Sequence, residues 1–312
     1  MKIIRDIALF DEIRPRDTAV TVGVFDGVHL GHQDVISRLL DAKHRERKTA
    51  AILLTFDRHP LSVTHPEVMP PLLTTLDEKL SLLEPMDIDY IAIVVFSAGT
   101  ASTDYRTFIR ETLIGRLGMQ HLVVGYDFHL GSGREGSQER LKEAGDTDRF
   151  AVTIVPPVVM GGRVVSSTKI RRALMEGRLG TAARFLGRRY FFDAEVVRGE
   201  GMGNRIGFPT ANLRVGNSHK LLPPAGVYAV RVERGGDCLG GMMNVGSAPT
   251  IHRGGGMRIE VHLFGFEGDL YGERLRIHCI AKMRNEKRFA GTDALKAQLV
   301  LDREKVSRIL EK

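Results

Sequence analysis

Gly23 to His32 read GVFDGVHLGH, set between a short Val- and Thr-rich run, Thr18 to Val24, and apolar positions at helical spacing, Val35, Ile36, Leu39 and Leu40. The first run reads as a buried parallel strand, and the second as a helix that begins close to His29 and runs to about Leu40. A strand that becomes a helix through three glycines and two histidines commits this part of the chain to an α/β unit with a ligand site where strand meets helix. His29 and His32 share one face of the first helical turn. Two imidazoles beside free backbone N–H groups and the positive end of the helix dipole form a compact donor set for phosphate oxygens. Gly23, Gly27 and Gly31 let the backbone approach the ligand. The arrangement suits attack on the α-phosphate of a nucleoside triphosphate, which needs positioning and charge stabilisation more than a nucleophile. A plainer reading makes one His a helix cap and the other a surface residue, and zinc lacks an obvious third ligand nearby.

A second element follows the same plan. Ser166 to Arg171 read SSTKIR, where an extended stretch (Phe150 to Val155, then Val164 and Val165) gives way to a helix from Ile170 to about Glu176. Hydroxyls at a helix start are ordinarily caps. Together with GVFDGVHLGH, however, they resemble the paired signature of the HxGH nucleotidylyltransferases, which implies ATP phosphates held by hydroxyls, backbone amides and an Arg.

With 312 residues the chain is long enough for two domains. Its formal charge of +7 is spread out, with short clusters only at Lys43 to Lys48 and Arg184 to Arg189, which suits phosphorylated small-molecule substrates. A nucleic-acid binder would show aromatic platforms, whereas this chain has no Trp and six Tyr. Cys238 and Cys279 lie far apart and predict neither a metal cluster nor a disulfide framework. The start, MKIIRDIALF, is too short and too charged for a signal peptide, and no run approaches a membrane span. A cytoplasmic protein without membrane or nucleic-acid partners, monomeric or weakly self-associating, is expected.

Up to about residue 185, apolar β-rich runs (Ala50 to Phe56, Asp89 to Phe96, His121 to Gly125, Phe150 to Val155) alternate with helical patterns near Asp77 to Leu83, Thr103 to Arg116 and Glu135 to Glu143. That alternation predicts a doubly wound parallel sheet over 1–185. Residues 186–312 instead carry short strands at Val227 to Val232, Met242 to Val245, Ile259 to Phe264 and Leu275 to Ile280, separated by glycine turns at Gly235–Gly236, Gly254–Gly256 and Gly268–Asp269. These predict an antiparallel β-barrel or sandwich, closed by a helix from Thr292 to Leu310 with Leu295, Leu299, Val306 and Leu310 on its apolar face.

A further candidate site lies in GEGMGNRIGFPTAN, Gly199 to Asn212. Its glycines alone could be mobile turns. Thr210 and Asn212, two apart in an extended segment, put a hydroxyl and an amide oxygen on one side, and such hard oxygens suit Mg²⁺ that also takes nucleotide phosphates. In IEVHLF, Glu260 alternates with apolar neighbours. It is either a solvent-facing strand residue or, facing a triphosphate, the base for a substrate hydroxyl.

Taken together these motifs resemble the bacterial bifunctional riboflavin kinase/FAD synthetase family over essentially the full length. TFDRHP (Thr55 to Pro60), VGYDFHLGSGREG (Val124 to Gly136) and SSTKIRRAL (Ser166 to Leu174) match the adenylyltransferase half. GFPTANL (Gly207 to Leu213), PPAGVYAV (Pro223 to Val230), MNVGSAPT (Met243 to Thr250), EVHLF (Glu260 to Phe264), DLYG (Asp269 to Gly272) and MRNEKRF (Met283 to Phe289) match the kinase half. The resemblance implies that riboflavin and ATP give FMN, and that FMN and ATP then give FAD and pyrophosphate. Carried over by position, Gly23, Phe25, Asp26, His29, Gly31, His32, Ser167, Thr168 and Arg171 would serve the adenylylating ATP, with His59 and Asp127 near FMN. Gly201, Gly203, Gly207, Thr210, Asn212, Arg284 and Glu286 would border the nucleotide and flavin of the kinase, Thr210 and Asn212 would hold Mg²⁺, and Glu260 would activate the ribityl hydroxyl. His129, Leu130, Ala248 and the stretch Ser97 to Ser102 depart from the family's usual pattern, so a kinase with a weakened adenylyltransferase half is the alternative.

Overall fold

In the first unit, successive residues of each central strand are buried against opposite layers of helices, so the strands read as continuous apolar runs. The computed structural model describes residues 1–13, 15–131, 133, 135–199, 203, 206–247 and 257–311. By its contacts the chain forms two units, Met1–Ser167 and Thr168–Lys312.

The first unit holds a parallel sheet of β1 (Lys2–Ile4), β2 (Thr18–Val22), β3 (Ala51–Phe56), β4 (Tyr90–Val94), β5 (Met119–Gly125) and β6 (Ala151–Val155), in the order β1-β4-β3-β2-β5-β6. On one face Val20, Ile52, Leu54, Leu122 and Val124 pack with Phe108, Ile109, Leu113 and Leu141. On the other, Ala19, Leu53, Ile91 and Val123 pack with Val35, Ile36 and Leu39 of α1 (Leu30–Arg45) and with Leu80 and Leu83 of α2 (Leu76–Leu83). The winding proceeds from β2 to β3 and β4, then returns to place β5 on the other side of β2. The carboxyl ends of β2 and β5 therefore flank the switch point at which such sheets bind ligands.

Four elements differ from the sequence expectation. Helix α1 extends to Arg45, past Leu40, with Ala42 buried and Lys43, His44 and Arg45 in a last turn whose dipole favours cations. Strand β1 is too short to show a period. The segment expected as one helix over Thr103 to Arg116 is a single turn, Tyr105–Thr107, followed by a π-wound stretch, Phe108–Arg116. Helix α3 (Gln138–Asp148) lies a few residues later than expected.

A short antiparallel pair, β7 (Val159–Met160) and β8 (Arg163–Val164), follows the sheet. Helix α4 (Ser167–Met175) belongs to the second unit from Thr168 onward, and α5 (Leu179–Leu186) packs on β9 (Tyr190–Val197) and β14 (Arg274–Arg284). With β10 (Ala211–Arg214), β11 (Gly226–Arg234), β12 (Asp237–Ser247) and β13 (Met257–Leu263), these strands close an antiparallel barrel in the order β10-β13-β12-β11-β14-β9. Tyr228, Val230, Val232, Met243, Val245, Ile259 and Val261 are buried on the interior side. Val227, Ala229 and Met242 alternate with them and pack outward against Leu299, Val306 and Leu310 of α6 (Thr292–Leu310). Gly235 and Gly236 form the two-residue turn between β11 and β12 with φ of 54° and 102°, conformations that a primed hairpin turn demands. Cys238 is exposed and Cys279 buried, both free, and burial pushes the Cys279 thiol up to about 12. The expected turn at Gly254–Gly256 lies outside the described residues.

Candidate active sites

Strand β2 delivers the chain into a strained turn. Phe25 (φ 50°) and Val28 (φ 38°) both sit in the left-handed region, Val28 despite its branched Cβ, and both are buried. Such conformations persist only where the surroundings over-determine them, and they concentrate at functional sites. Here the constraint is Asp26. Its buried carboxylate accepts hydrogen bonds from Leu73 N at 3.0 Å, Thr74 N at 2.9 Å and Thr74 Oγ1 at 3.3 Å, while Gly27 N donates to Thr74 Oγ1 at 3.0 Å. Asp26 thus fastens the turn to the segment before α2, and its backbone oxygen accepts from Ser167 Oγ at 2.9 Å.

The two histidines come together as the spacing requires. His29 is the N-cap of α1, its Nδ1 accepting from His32 N at 3.3 Å, so the neutral ring carries its proton on Nε2. The rings of His29 and His32 stack with centroids 3.6 Å apart, and Phe25 meets His32 edge-on at 5.2 Å. The capping reading and the ligand reading are therefore compatible: the cap fixes the tautomer that puts the proton on Nε2. A Cβ at Gly31 would stand 3.2 Å from His29 Cε1, and one at Gly23 would stand 3.0 Å from the Phe25 ring, so both glycines give the rings room.

Thr168 and Arg171 lie three apart on α4, with Arg171 buried. His59 follows β3, where its Nδ1 accepts from Leu61 N at 3.2 Å. Asp127, exposed, follows β5, and His129 hydrogen-bonds its backbone oxygen at 3.0 Å. Both candidates thus stand at the carboxyl edge of the sheet, as the turn after β2 does. Leu130 is absorbed into the core and pairs with Gly136. Lys79 passed unnoticed in the sequence: it is buried beneath the turn, with its Nζ on Val24 O at 3.1 Å and Thr55 Oγ1 at 2.8 Å.

In the second unit the register assembles the other site. Asn212 on β10 pairs with Glu260 on β13, Glu260 with Asn244 on β12, Asn244 with Val227 on β11, and Val227 with Arg284 on β14. Directly opposed residues share a face, and Val227 packs against α6, so this row lies on the outer face of the barrel. Glu260 keeps 24% of its side chain exposed and accepts from Arg258 Nε (3.1 Å) and Nη2 (2.9 Å), both on Oε1. Thr210 precedes β10 beside Gly203, where a Cβ would come within 2.9 Å of Thr210 Oγ1, and a Cβ at Gly199 would collide with the Asn212 amide. His262, buried, bonds Pro209 O through Nδ1 at 2.7 Å and meets Phe208 edge-on, which fixes the PTAN segment.

Glu286 reaches over Gly246, where a Cβ would stand 2.5 Å from its Oε1 and 3.5 Å from Asn244 Nδ2. Arg284 turns elsewhere: its Nε and Nη2 hold Asp302 Oδ2 of α6 at 2.9 and 2.8 Å, and Gln298 takes Oδ1. Gly207 is exposed with φ 79°, while Gly201 and Ala248 lie outside the described residues. Asn244 and His262 were not singled out from sequence; only strand register reveals the first and the Pro209 contact the second. Among the described residues no three His, Cys, Asp or Glu side chains form a metal-binding group, and no helix is long and apolar enough to cross a membrane.

Comparison with known proteins agrees with this division. A family model described as FAD synthetase matches residues 11–169, and one described as riboflavin kinase matches residues 186–310. The bifunctional riboflavin kinase/FMN adenylyltransferase of Escherichia coli K12 is 37% identical over 97% of this chain and 96% of its own. That of Bacillus subtilis is 35% identical over 93% and 92%. A crystal structure described as "Macrolide-efflux Protein from Streptococcus pneumoniae" superposes with a TM-score of 0.85 at 31% identity, covering 94% of both chains. Two family models in the order of the two sites, and full-length relatives that join them, place this chain in the bifunctional riboflavin kinase/FMN adenylyltransferase family.

Proposed function

We propose that residues 186–312 phosphorylate riboflavin to FMN with ATP and that residues 1–185 transfer the adenylyl group of a second ATP to FMN, releasing pyrophosphate. The observation that carries this reading is the presence of two separately built sites, one at the switch point of the parallel sheet and one on the outer barrel face. In the first, an FMN phosphate oxygen bonds to the α-phosphorus of ATP as the bond to the β-phosphate oxygen breaks, and no proton needs to move. His29 Nε2–H and His32 stabilise the charge that builds on the phosphates. Ser167 orients them, and His59 and Asp127 border FMN. The kinase-only alternative gains nothing from the geometry, since the histidine pair is in place and Leu130 is accommodated by the core.

In the kinase site, Glu260 takes the proton of the ribityl hydroxyl as that oxygen attacks the γ-phosphorus and the bond from that phosphorus to the bridging β-phosphate oxygen breaks, releasing ADP, and Arg258, engaging Oε1, fixes the carboxylate. Thr210 Oγ1 and the Asn212 amide oxygen are hard donors beside glycines that admit no side chain, a set that fits Mg²⁺ shared with nucleotide phosphates. That ion would neutralise phosphate charge. Glu286 and Asn244 border the flavin end, whereas Arg284 braces α6 against the barrel. We assign the protein to the cytoplasm, as a monomer or weak homo-oligomer acting on small molecules.

Incubating the protein with riboflavin, ATP and Mg²⁺ and separating the flavins over time tests the assignment. FMN should appear first and FAD later; FMN alone would remove the role of the first unit, and no conversion would remove both. In the same assay Gly31→Ala should lower FAD formation about 10- to 100-fold with FMN formation unchanged, because its Cβ must displace the His29 ring and small misplacements of catalytic groups cost that much.

A further inference from the structure

The segment LTTLDEK, Leu73 to Lys79, carries no chemistry in the proposed reaction, yet it holds the strained turn from both of its ends. From its start, Leu73 N, Thr74 N and Thr74 Oγ1 converge on the Asp26 carboxylate, and Thr74 Oγ1 accepts from Gly27 N. A capping box follows: Thr75 Oγ1 accepts from Glu78 N at 3.3 Å, and the fully buried Glu78 carboxylate accepts from Thr75 N at 2.9 Å. This fixes the helix start from which Lys79 projects. Lys79 is 6% exposed, and its ammonium donates to Val24 O at 3.1 Å, Thr55 Oγ1 at 2.8 Å and Phe56 O at 3.3 Å. Val24 leads into the Phe25–Val28 turn, and Phe56 leads into Asp57–Pro60, which carries His59.

We infer that Lys79 is a positioning residue for adenylyl transfer, an internal strut that ties the histidine-bearing turn after β2 to the His59-bearing loop after β3. Lysine is almost never fully buried unless paired, and removing it would leave Phe56 O and the Thr55 hydroxyl without this donor and Val24 O with the Thr55 hydroxyl at 3.3 Å in its place, in a dry site. Phe25, next to its anchor Val24, is in left-handed backbone, so the strut supplies part of the restraint that keeps Phe25 edge-on to His32. Desolvation pushes the Lys79 ammonium down to about 8, against the opposing pull of Asp26 on the turn and Asp57 after β3; Glu78 on its own helix is engaged with Thr75. As the pH rises through 8 the amine loses a proton and its charge, and the strut weakens.

This inference rests on the reaction assigned above to the first unit, and the kinase reaction of the same chain serves as the internal control. Lys79→Met should lower kcat/KM for FAD formation about 10- to 100-fold, chiefly in kcat, while FMN formation is unchanged. Wild-type FAD formation should fall as pH rises through about 8, a limb that the kinase reaction lacks and that Lys79→Met flattens. Thr55→Val removes one acceptor of the ammonium, and with it some support for the charged form, together with the hydroxyl's own bond to Val24 O; it should move the limb down by about one pH unit, the equivalent of one charge-assisted hydrogen bond, and this position of the limb decides the matter if Lys79→Met does not fold. A folded Lys79→Met enzyme with unaltered FAD kinetics, or a Thr55→Val limb that does not move, overturns the proposal. Wild-type protein run alongside separates the two failures: no FAD from wild type removes the assigned reaction, whereas FAD from wild type with unaffected variants removes only the role of Lys79.

Discussion

His32→Ala should reduce FAD formation from supplied FMN by about 10²- to 10³-fold and leave FMN formation from riboflavin at the wild-type rate. The magnitude follows from the loss of one preorganised donor at a site where charge develops on phosphate. The direction follows from geometry: the His32 ring lies flat on His29 at 3.6 Å and is held edge-on by Phe25, so its removal also frees the His29 ring. Most of the loss should fall in kcat, because the imidazoles act on charge that is greatest in the transition state. Initial rates of pyrophosphate release with FMN, and of FMN formation with riboflavin, measure both quantities in one preparation.

Glu260→Gln should produce the converse, a fall of about 10²- to 10⁴-fold in riboflavin phosphorylation, the contribution of a positioned general base, with FAD formation from supplied FMN retained. The amide keeps the volume and can still accept from Arg258, so the barrel should stay folded. What disappears is the ability to take a proton. A Glu260→Gln enzyme that phosphorylates riboflavin normally would return Glu260 to the status of a solvent-side strand residue paired with Arg258.

Legibility in the sequence tracked the range of the physics involved. The terminal helix runs over Thr292–Leu310 as its apolar period indicates, because amphipathic spacing is a local property. The His29–His32 pair was readable for the same reason, since three residues on a helix fix their neighbourhood. Asp26 was visible as a motif residue, but its function as a bolt was not: its partners Leu73 and Thr74 are 47 and 48 residues away. Lys79, in LDEKLSLL, reads as the polar face of an ordinary helix, and only tertiary packing turns it inward. Asn244 joins Glu260 and Asn212 through strand pairing, which no period reveals. Arg284, visible as a motif residue, also clasps Asp302 of α6, a partner that no motif shows.

The proposed pair of sites, sharing FMN as a diffusible intermediate, is tested directly by mixing. His32→Ala protein given riboflavin and ATP should accumulate FMN, and Glu260→Gln protein should leave riboflavin unchanged. Combined in one vessel, the two should make FAD, because FMN released by the first is adenylylated by the second. A mixture that accumulates FMN without FAD, although each variant retains its single activity, would contradict the account.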